Sequence, residues 1–362
     1  MYRVVDTHAQ LEGELEALEA SGTIALDTEF HPERTYRPRL LLVQVCGAGM
    51  APLLIDPQAP LSLAPLGAVL GRVRLIVHGG DQDVRLLAHH AGLTLGAFSD
   101  TQRVAAFAGL GWPRRLQDLL SEVLGVEIDK GATLSDWSRR PLSPVQEAYA
   151  AADVRLLAEL DAALRERVRA LGNERWLAEA EAEHRAEVLL PVDPARAWRR
   201  IPGAHLLDET GRVALRAMAG WREQHAAEVD LPLNQVVSDS TLLDLARRRP
   251  GTVEEMRENR RLPSSVWKVH GVRLLALMAE KGGPAPAPLP RGVRVDLLRA
   301  AARAISGEIG IASDLLLSEC ELDYVLGGSG GASWRKTALG IAFEEFVQGR
   351  RLLNFNGDLV PL

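Results

Sequence analysis

The chain has 362 residues, of which 47% are hydrophobic and 25% charged, with a net charge of −6. These values are typical of a globular protein of about two or three domains, and they exclude a basic protein that coats nucleic acid indiscriminately. No apolar run approaches the roughly 18 residues of a membrane span, and two cysteines are too few for a disulfide framework. We therefore expect a cytoplasmic protein without a membrane partner.

Strand-like and helix-like segments alternate through the first 160 residues. After a possible lead-in strand "RVV", the apolar runs that predict strands are "TIALDTEF" (23–30), "RLLLVQVCGAG" (39–49), "APLLIDP" (51–57) and "VRLIVHGG" (73–80). Apolar residues have helical spacing in 8–22 and 81–93. A long helix is predicted after Ser143-Pro144, where a capping serine is followed by proline at the first helical position. This order is typical of an α/β domain, for which we expect a mixed sheet.

From about residue 165 onward the pattern predicts helices and no convincing strand. A Pro/Ala-rich stretch at 282–290 marks the clearest domain boundary. Segments 228–245 and 308–325 align without a gap, which favours two copies of one helical module over chance similarity. The predicted domains are residues 1–200, a helical domain at 206–283, a linker at 284–289, and a second, degenerate copy at 290–362.

Acidic side chains occur at three places in the predicted α/β domain. Asp27 and Glu29 are two apart at the end of a strand, so they point to the same face. The segment "HGGDQDVRLL" places an acid where the next strand turns into a helix. Tyr149 and Asp153 are four apart and share one face of the long helix. Each feature alone has an ordinary structural explanation, but together they predict a single acidic site.

Carboxylate ligands without histidine or cysteine suit Mg²⁺ or Mn²⁺. Two such ions about 4 Å apart can hold the attacking and leaving oxygens of a phosphodiester displacement. A neutral Tyr149 in hydrogen-bond reach can orient the attacking water or accept its proton. The acids therefore predict a nuclease with two divalent ions as cofactors.

The motifs "LDTEF", "HGGDQDVRLL" and "YAAADV" resemble the three exonuclease motifs of the Tyr-bearing branch of the DEDD superfamily. The run "DKGATLSDWSRRPLSPVQEAYAAADV" resembles the ribonuclease D family, and "LRAMAGWREQHAAEVDLPLNQVVSDSTLLDLARRRPGT" resembles the HRDC domain. The resemblance implies a ribonuclease H-like α/β exonuclease domain with a mixed sheet, followed by two small all-α HRDC-type domains. It further implies a 3′→5′ exoribonuclease that releases nucleoside 5′-monophosphates.

Carried over by residue, the resemblance makes Asp27, Glu29, Asp83 and Asp153 the metal ligands and Tyr149 the residue that positions water. In the second motif Asp83 is preferred to Asp81, because the family's acid lies five residues after a histidine, here His78. Asp81 then becomes an acid favoured by the helix dipole. Whether Asp81 contributes stays open.

A single RNA strand needs cations and stacking groups beside the acids. The candidates in the first domain are Arg34, Tyr36, Arg37, Lys130, Trp137 and Arg140. For Trp137 the alternative is a buried anchor of its loop. Residues 246–275 hold 8 basic and 3 acidic residues, among them Arg260, Arg261 and Lys268, which are either RNA contacts or a solvated helical face.

The implied partner is RNA with a single-stranded 3′ end, such as a tRNA precursor or a structured small RNA, bound by a monomer. One alternative is a DNA exonuclease of the Werner type. Another is a non-catalytic RNA-binding scaffold, which the complete set of four acids and a tyrosine argues against, since clustered unpaired acids only cost stability.

Overall fold

The computed structural model describes residues 1–31, 35–127, 135–258, 260, 262–279, 292–317, 322, 325, 333–354 and 356–362. Contacts divide the chain into two compact units, which we call unit 1 and unit 2. Unit 1 comprises residues 1–30, 40–190 and 292–362, and unit 2 comprises residues 31–39 and 191–291.

Unit 1 is built on a six-stranded mixed sheet. Its strands are β1 (Arg3–Val5), β2 (Thr23–His31), β3 (Arg39–Gly47), β4 (Leu53–Ile55), β5 (Arg74–Val77) and β6 (Phe98–Asp100). Their spatial order is β1-β4-β3-β2-β5-β6. β4 is parallel to β1 and antiparallel to β3, whereas β2, β5 and β6 are mutually parallel. The predicted mixed sheet is thereby confirmed.

The register of the parallel strands brings their carboxyl ends to one edge of the sheet. Ala25 of β2 pairs with Ile76 of β5, and Val77 of β5 pairs with Asp100 of β6. The apolar residues Ile24 to Leu26 anchor β2 in the core, where each is at most 1% exposed. The next residues of β2 therefore emerge from the core at the edge where β5 and β6 also end.

Helices cover the sheet of unit 1. They are α1 (His8–Ala20), α2 (Ala64–Leu70), α3 (Asp81–Ala91), α4 (Thr101–Phe107), α5 (Leu116–Leu119), α6 (Pro144–Arg155), α7 (Leu157–Ala170) and α8 (Glu174–Glu187). A π-helical turn, Leu120–Leu124, follows α5. α6 begins where the sequence predicts, because Ser143 and Gln146 cap each other's backbone N–H groups and Pro144 occupies the first turn.

The C-terminal part of the chain also belongs to unit 1. It contains α14 (Val293–Ile309), α15 (Ser313–Leu316), α16 (Trp334–Val347) and a hairpin of β7 (Arg351–Leu353) and β8 (Leu359–Pro361). The prediction that no strand follows residue 165 is wrong for this hairpin. Its strands of three residues are too short to show a period of two, and Asn354 and Asp358 close the turn through their backbone and side chains.

Packing joins this C-terminal segment to the helices beside the sheet. The Asn173 side-chain amide donates to the carbonyls of Phe107 and Ile309, and Ala312 N–H donates to the carbonyl of Ala106. The rings of Phe107 and Trp334 are 4.8 Å apart. The described part of 292–362 therefore shares its core with the helices beside the sheet. The predicted boundaries of a second HRDC-type domain stay a prediction.

Unit 2 is helical. Two 3₁₀ turns, Pro194–Arg200 and Ala204–Leu206, precede α9 (Glu209–Val229), α10 (Leu233–Val236), α11 (Asp239–Arg248), α12 (Val253–Glu258) and α13 (Ser264–Ala279). Its core includes Trp198, Leu215, Met218, Leu242 and Leu274, each at most 1% exposed. None of the helices in the described part of the chain is long and apolar enough to cross a membrane.

Candidate active site

Three elements of unit 1 carry the predicted catalytic residues. The carboxyl end of β2 holds Asp27 and Glu29, and α6 holds Tyr149 and Asp153. Carboxylate oxygens of Asp27, Glu29 and Asp153 all lie within 4.8 Å of one another. Residues far apart in sequence thus form one acidic cluster, as the motifs predict.

The turn between β5 and α3 brings the fourth acid to this edge. Gly79 has a φ of +63°, which favours glycine, and a Cβ on Gly80 would lie 2.6 Å from the side chain of Val77. The chain can therefore reverse tightly and start α3 at Asp81, so that Asp83 is buried in its first turn.

Asp83 is placed differently from the other three acids. It does not belong to the cluster whose carboxylate oxygens lie within 4.8 Å of one another. Instead, the hydroxyl of Thr28, the residue between Asp27 and Glu29, donates a hydrogen bond to Oδ1 of Asp83. This bond ties the start of α3 to the end of β2. Burial raises the pKa of Asp83 to about 6, against the lowering effect of the Thr28 hydroxyl.

The surroundings of the clustered acids disfavour ionisation of their carboxyl groups. Burial and then the charges of Asp153 and Asp83 raise the pKa of Glu29 to about 8. Burial raises the pKa of Asp153 to about 7, although a hydrogen bond with Tyr149 opposes this. The pKa of Asp27 is raised by burial and by the charges of Asp83, Asp153 and Glu29. Among the described residues, no lysine or arginine is a cause of the pKa shifts of these four carboxylates.

The donor set fits a divalent metal ion. Burial combined with mutual repulsion makes the ionised cluster costly, and a bound cation would reverse the sign of this cost. The cluster offers only carboxylate oxygens, the ligands that Mg²⁺ and Mn²⁺ prefer. The exonuclease fold accordingly implies the use of divalent metal ions.

A cleft of about 500 Å³ opens beside the acids and is lined by Asp27, Tyr149 and Asp153. Its lining also includes His78, which the second motif supplies only as a reference residue, and five residues that no motif predicts: Gln102, Arg114, Arg115, Leu116 and Gln117. The segment "GWPRRLQD" that supplies most of them matches no motif. Two adjacent arginines after a proline are the available signal, and it is a weak one.

Asp81, the alternative in the second motif, faces a different partner. Its Oδ1 lies 2.7 Å from Nε2 of His184, and this hydrogen bond is the main cause of its lowered pKa. Together with Asp100 these two residues form a second set of possible ligands. Nothing in the sequence of α8 marks His184 as a partner of an acid.

Two of the RNA contacts predicted in unit 1 need correction. Arg140 uses all five guanidinium N–H groups on Asp56 and on the carbonyls of Leu41, Trp137 and Arg139, so it anchors its loop and has no donor left for a phosphate. Trp137 is only 5% exposed and its ring is 6.2 Å from that of Tyr149, so it cannot stack on a base. The structure supports the alternative of a buried anchor.

The remaining predicted contacts lie in unit 2 or outside the described residues. Tyr36 packs on the core of unit 2 and donates its hydroxyl to Glu223, so we also correct its predicted role. Arg37, Arg260 and Lys268 are exposed, and Lys268 lies 5.4 Å from the centre of the Trp267 ring. Arg34, Lys130 and Arg261 lie outside the described residues.

Comparisons with known proteins agree with this architecture. A family model described as 3′-5′ exonuclease matches residues 2–169, and the HRDC domain model matches residues 212–278. Ribonuclease D of Sphingobium indicum is 32% identical over 351 residues, which cover 90% of this chain and 89% of the relative. The chain belongs to the ribonuclease D family.

Further members of the ribonuclease D family strengthen this assignment. Ribonuclease D of Escherichia coli K12 is 36% identical over 76% of this chain and 74% of its own length. The crystal structure of E. coli RNase D, described as an exoribonuclease involved in structured RNA processing, superposes with a TM-score of 0.80 and 29% identity, covering 96% of this chain and 99% of that chain. The predicted family and the predicted 3′→5′ exoribonuclease activity are confirmed.

Proposed function

We propose that this exoribonuclease of the ribonuclease D family shortens RNA 3′ ends at the cleft of unit 1 and releases nucleoside 5′-monophosphates. The observation that carries the proposal is the cluster of Asp27, Glu29 and Asp153, whose oxygens lie within 4.8 Å of one another. Asp27 and Asp153 of this cluster line that cleft. A non-catalytic scaffold would have no use for three carboxylates whose pKa values are raised.

The proposed ligands of two Mg²⁺ or Mn²⁺ ions are Asp27, Glu29, Asp83 and Asp153. The ions would supply charge to stabilise the phosphodiester displacement and would acidify the attacking water. Asp83 is fixed for this role by the Thr28 hydroxyl, and Asp153 by its place on the capped helix α6. Raised pKa values also make the site sensitive to pH, since the acids must ionise before they can act as ligands.

Tyr149 is the proposed water-positioning residue. It lines the cleft, forms a hydrogen bond with Asp153 and packs its ring near the buried Trp137. Its hydroxyl can hold the attacking water in line with the scissile bond or take a proton from it. The packing restricts the ring, which keeps the hydroxyl in place.

The proposed substrate is RNA with a short single-stranded 3′ tail next to a structured region, as in a tRNA precursor, acted on by a monomer. The description of the E. coli enzyme as acting in structured RNA processing supports this substrate class. The exposed cations Arg260 and Lys268 of unit 2 fit contacts with the structured part.

The test is the release of mononucleotides from a 3′-tailed tRNA, measured by chromatography with Mg²⁺, with Mn²⁺ and with a chelator. A matched DNA hairpin with the same 3′ overhang is the comparison that addresses a Werner-type DNA exonuclease. We expect metal-dependent release of 5′-monophosphates from the RNA and much slower release from the DNA. Equal rates on the two substrates would contradict the proposed preference for RNA.

A further inference from the structure

The cleft of unit 1 is lined both by carboxylates and by two adjacent arginines. Arg114 and Arg115 both line the cleft, which also contains Asp27, Tyr149 and Asp153. A substrate whose backbone is negative must approach carboxylates here, so a cation in the same cleft would have a specific use. The two arginines differ in what their side chains already bind.

Arg114 is committed to the protein. Its Nη1 donates to the carbonyl of Leu110, and its Nη2 forms an ion pair with Glu122 at 2.7 Å. Its own carbonyl accepts hydrogen bonds from His78 Nε2 at 3.0 Å and from Gln102 Nε2 at 3.1 Å. These contacts fix the backbone of the loop to the turn after β5 and to α4.

Arg115, the next residue, is held in place by this loop but leaves its side chain unused. It is exposed, and its guanidinium makes no ion pair or hydrogen bond with any residue that the structure describes. A planar group of five donors in a cleft is suited to the bidentate binding of a phosphate. Its backbone is positioned by Arg114, so the cost of ordering it on binding is limited to its side chain.

We propose that Arg115 binds a backbone phosphate at one of the last two linkages of the RNA 3′ end, and so holds the strand against the acids. The proposal rests on the assignment of the acids as the catalytic site. Arg115 is a positioning residue, because its charge is opposite to that of the carboxylates and it does not belong to the ligand set. It explains how a cleft lined by carboxylates can accept a polyanion.

The first test is RNA binding by the full chain in a chelator, so that no hydrolysis occurs. The probe is a short single-stranded RNA, and the variants are Arg115→Ala, Arg115→Lys and the control Arg175→Ala, an exposed arginine of α8 paired with Glu179. We expect Arg115→Ala to weaken binding about tenfold, the size of one charge-assisted hydrogen bond. It should also reduce the slope of log Kd against log salt by about 0.7, the value for one phosphate of a single strand.

The second test locates the phosphate. RNAs that carry one neutral methylphosphonate are compared at each linkage near the 3′ end. At one of the last two linkages the neutral group should weaken binding by the wild type but not by Arg115→Ala. Arg115→Lys should keep most of the affinity and lose part of the discrimination between these RNAs.

Two results would overturn the proposal. The first is an equal loss of RNA affinity in Arg115→Ala and Arg175→Ala. The second is that, at every linkage, the methylphosphonate weakens binding by Arg115→Ala as much as binding by the wild type, so that the two effects are independent. Release of mononucleotides by the wild type with divalent ions is measured in parallel. The methylphosphonate effect that depends on Arg115 is here called the coupling. If release of mononucleotides fails while the coupling is present, the assignment of the catalytic function is wrong and the phosphate contact stands. If release occurs without coupling, only the role of Arg115 is wrong.

Discussion

Two sets of possible metal ligands lie at the same edge of the sheet, on either side of the start of α3. The first consists of Asp27, Glu29 and Asp153, and the second of Asp81, Asp100 and His184. In the first set every pKa is raised, whereas in the second the pKa of Asp81 is lowered by His184. The ligand atoms are similarly close in both sets, but the first set disfavours ionised carboxylates whereas the second favours the ionised form of Asp81.

The second set is satisfied by the protein. Asp100 accepts from the backbone N–H groups of Gly79 and Gln102 and lies 3.9 Å from Arg103 Nε, while Asp81 is bonded to His184. These contacts shape the turn that leads into α3. Asp83 and Asp81 differ in the same way, since the pKa of Asp83 is raised and that of Asp81 is lowered. We therefore expect the functional acids to be those that the protein leaves without a counter-charge, Asp83 among them and Asp81 not.

The largest expected effect tests whether the two sets of acids differ in function, and it comes from neutralising one acid of each set. Asp27→Asn should reduce hydrolysis by at least about 10²–10³-fold, the loss typical of removing one preorganised electrostatic group, while RNA binding in a chelator persists. Asp81→Asn is the matched control and should keep kcat and KM close to wild type. Steady-state release of mononucleotides measures both, and similar losses in the two variants would contradict the distinction.

The next largest effect concerns Tyr149. Tyr149→Phe should lower kcat about 10²–10⁴-fold, the range for a positioned acid–base group, and leave Kd for RNA nearly unchanged. Tyr2→Phe is the control, because it removes a hydroxyl that bonds Glu147 on the same helix. Equal loss of affinity and turnover in Tyr149→Phe would indicate a structural role.

The pH dependence of folding stability tests the raised pKa values of the acids without any assay of activity. In a chelator the folded protein should keep protons on Asp83, Asp153 and Glu29, with pKa values of about 6, 7 and 8, that the unfolded chain has lost. The stability from these protonated acids is fully present below the pKa values of about 4 that they have in the unfolded chain, and it is lost as pH rises from there through the folded values of about 6 to 8.

We therefore expect Tm in a chelator to fall by at least several degrees over that range, because the three acids together contribute on the order of several kcal/mol. Mg²⁺ or Mn²⁺ should restore Tm more at the upper end of the range than at the lower end. Asp153→Asn should flatten the curve, and thermal unfolding followed by circular dichroism measures all three effects. A Tm in a chelator that is independent of pH would contradict the raised pKa values.

The smallest effect is expected for the stability of Asp81→Asn. The carboxylate is 49% exposed, so loss of its bond to His184 should cost no more than about 1 kcal/mol. Urea unfolding of the wild type and the variant measures this difference. A loss of several kcal/mol would mean that the second set is essential to the fold of this edge.

The sequence predicts which acids share a face of β2 and of α6, because these positions follow from short-range geometry. A strand of buried residues carries Asp27 and Glu29 to one face, and the helix from Pro144 carries Tyr149 and Asp153 one turn apart. Every strand of the sheet except β6 coincides with a predicted apolar run or lead-in, and β6 has only three residues.

What the sequence could not predict depends on contacts between distant residues. The burial of Trp137 and three of the five bonds of Arg140 depend on β3, β4 and the residue after β4, so both residues were open to interpretation as RNA contacts. Arg115 differs from Arg114 only in its tertiary partners, which no local pattern reveals. His184 became visible as a partner of Asp81 only through the packing of α8 near β6.

The C-terminal segment has a consequence for the order of folding. Asn173 binds Ile309, and Trp334 packs on Phe107, so the core of unit 1 contains residues from both sides of unit 2 in the sequence. A nascent chain can form the sheet and its acids early, but it lacks this part of the core until residues 292–362 leave the ribosome. Full stability of the nuclease is thereby deferred until translation of the segment is complete.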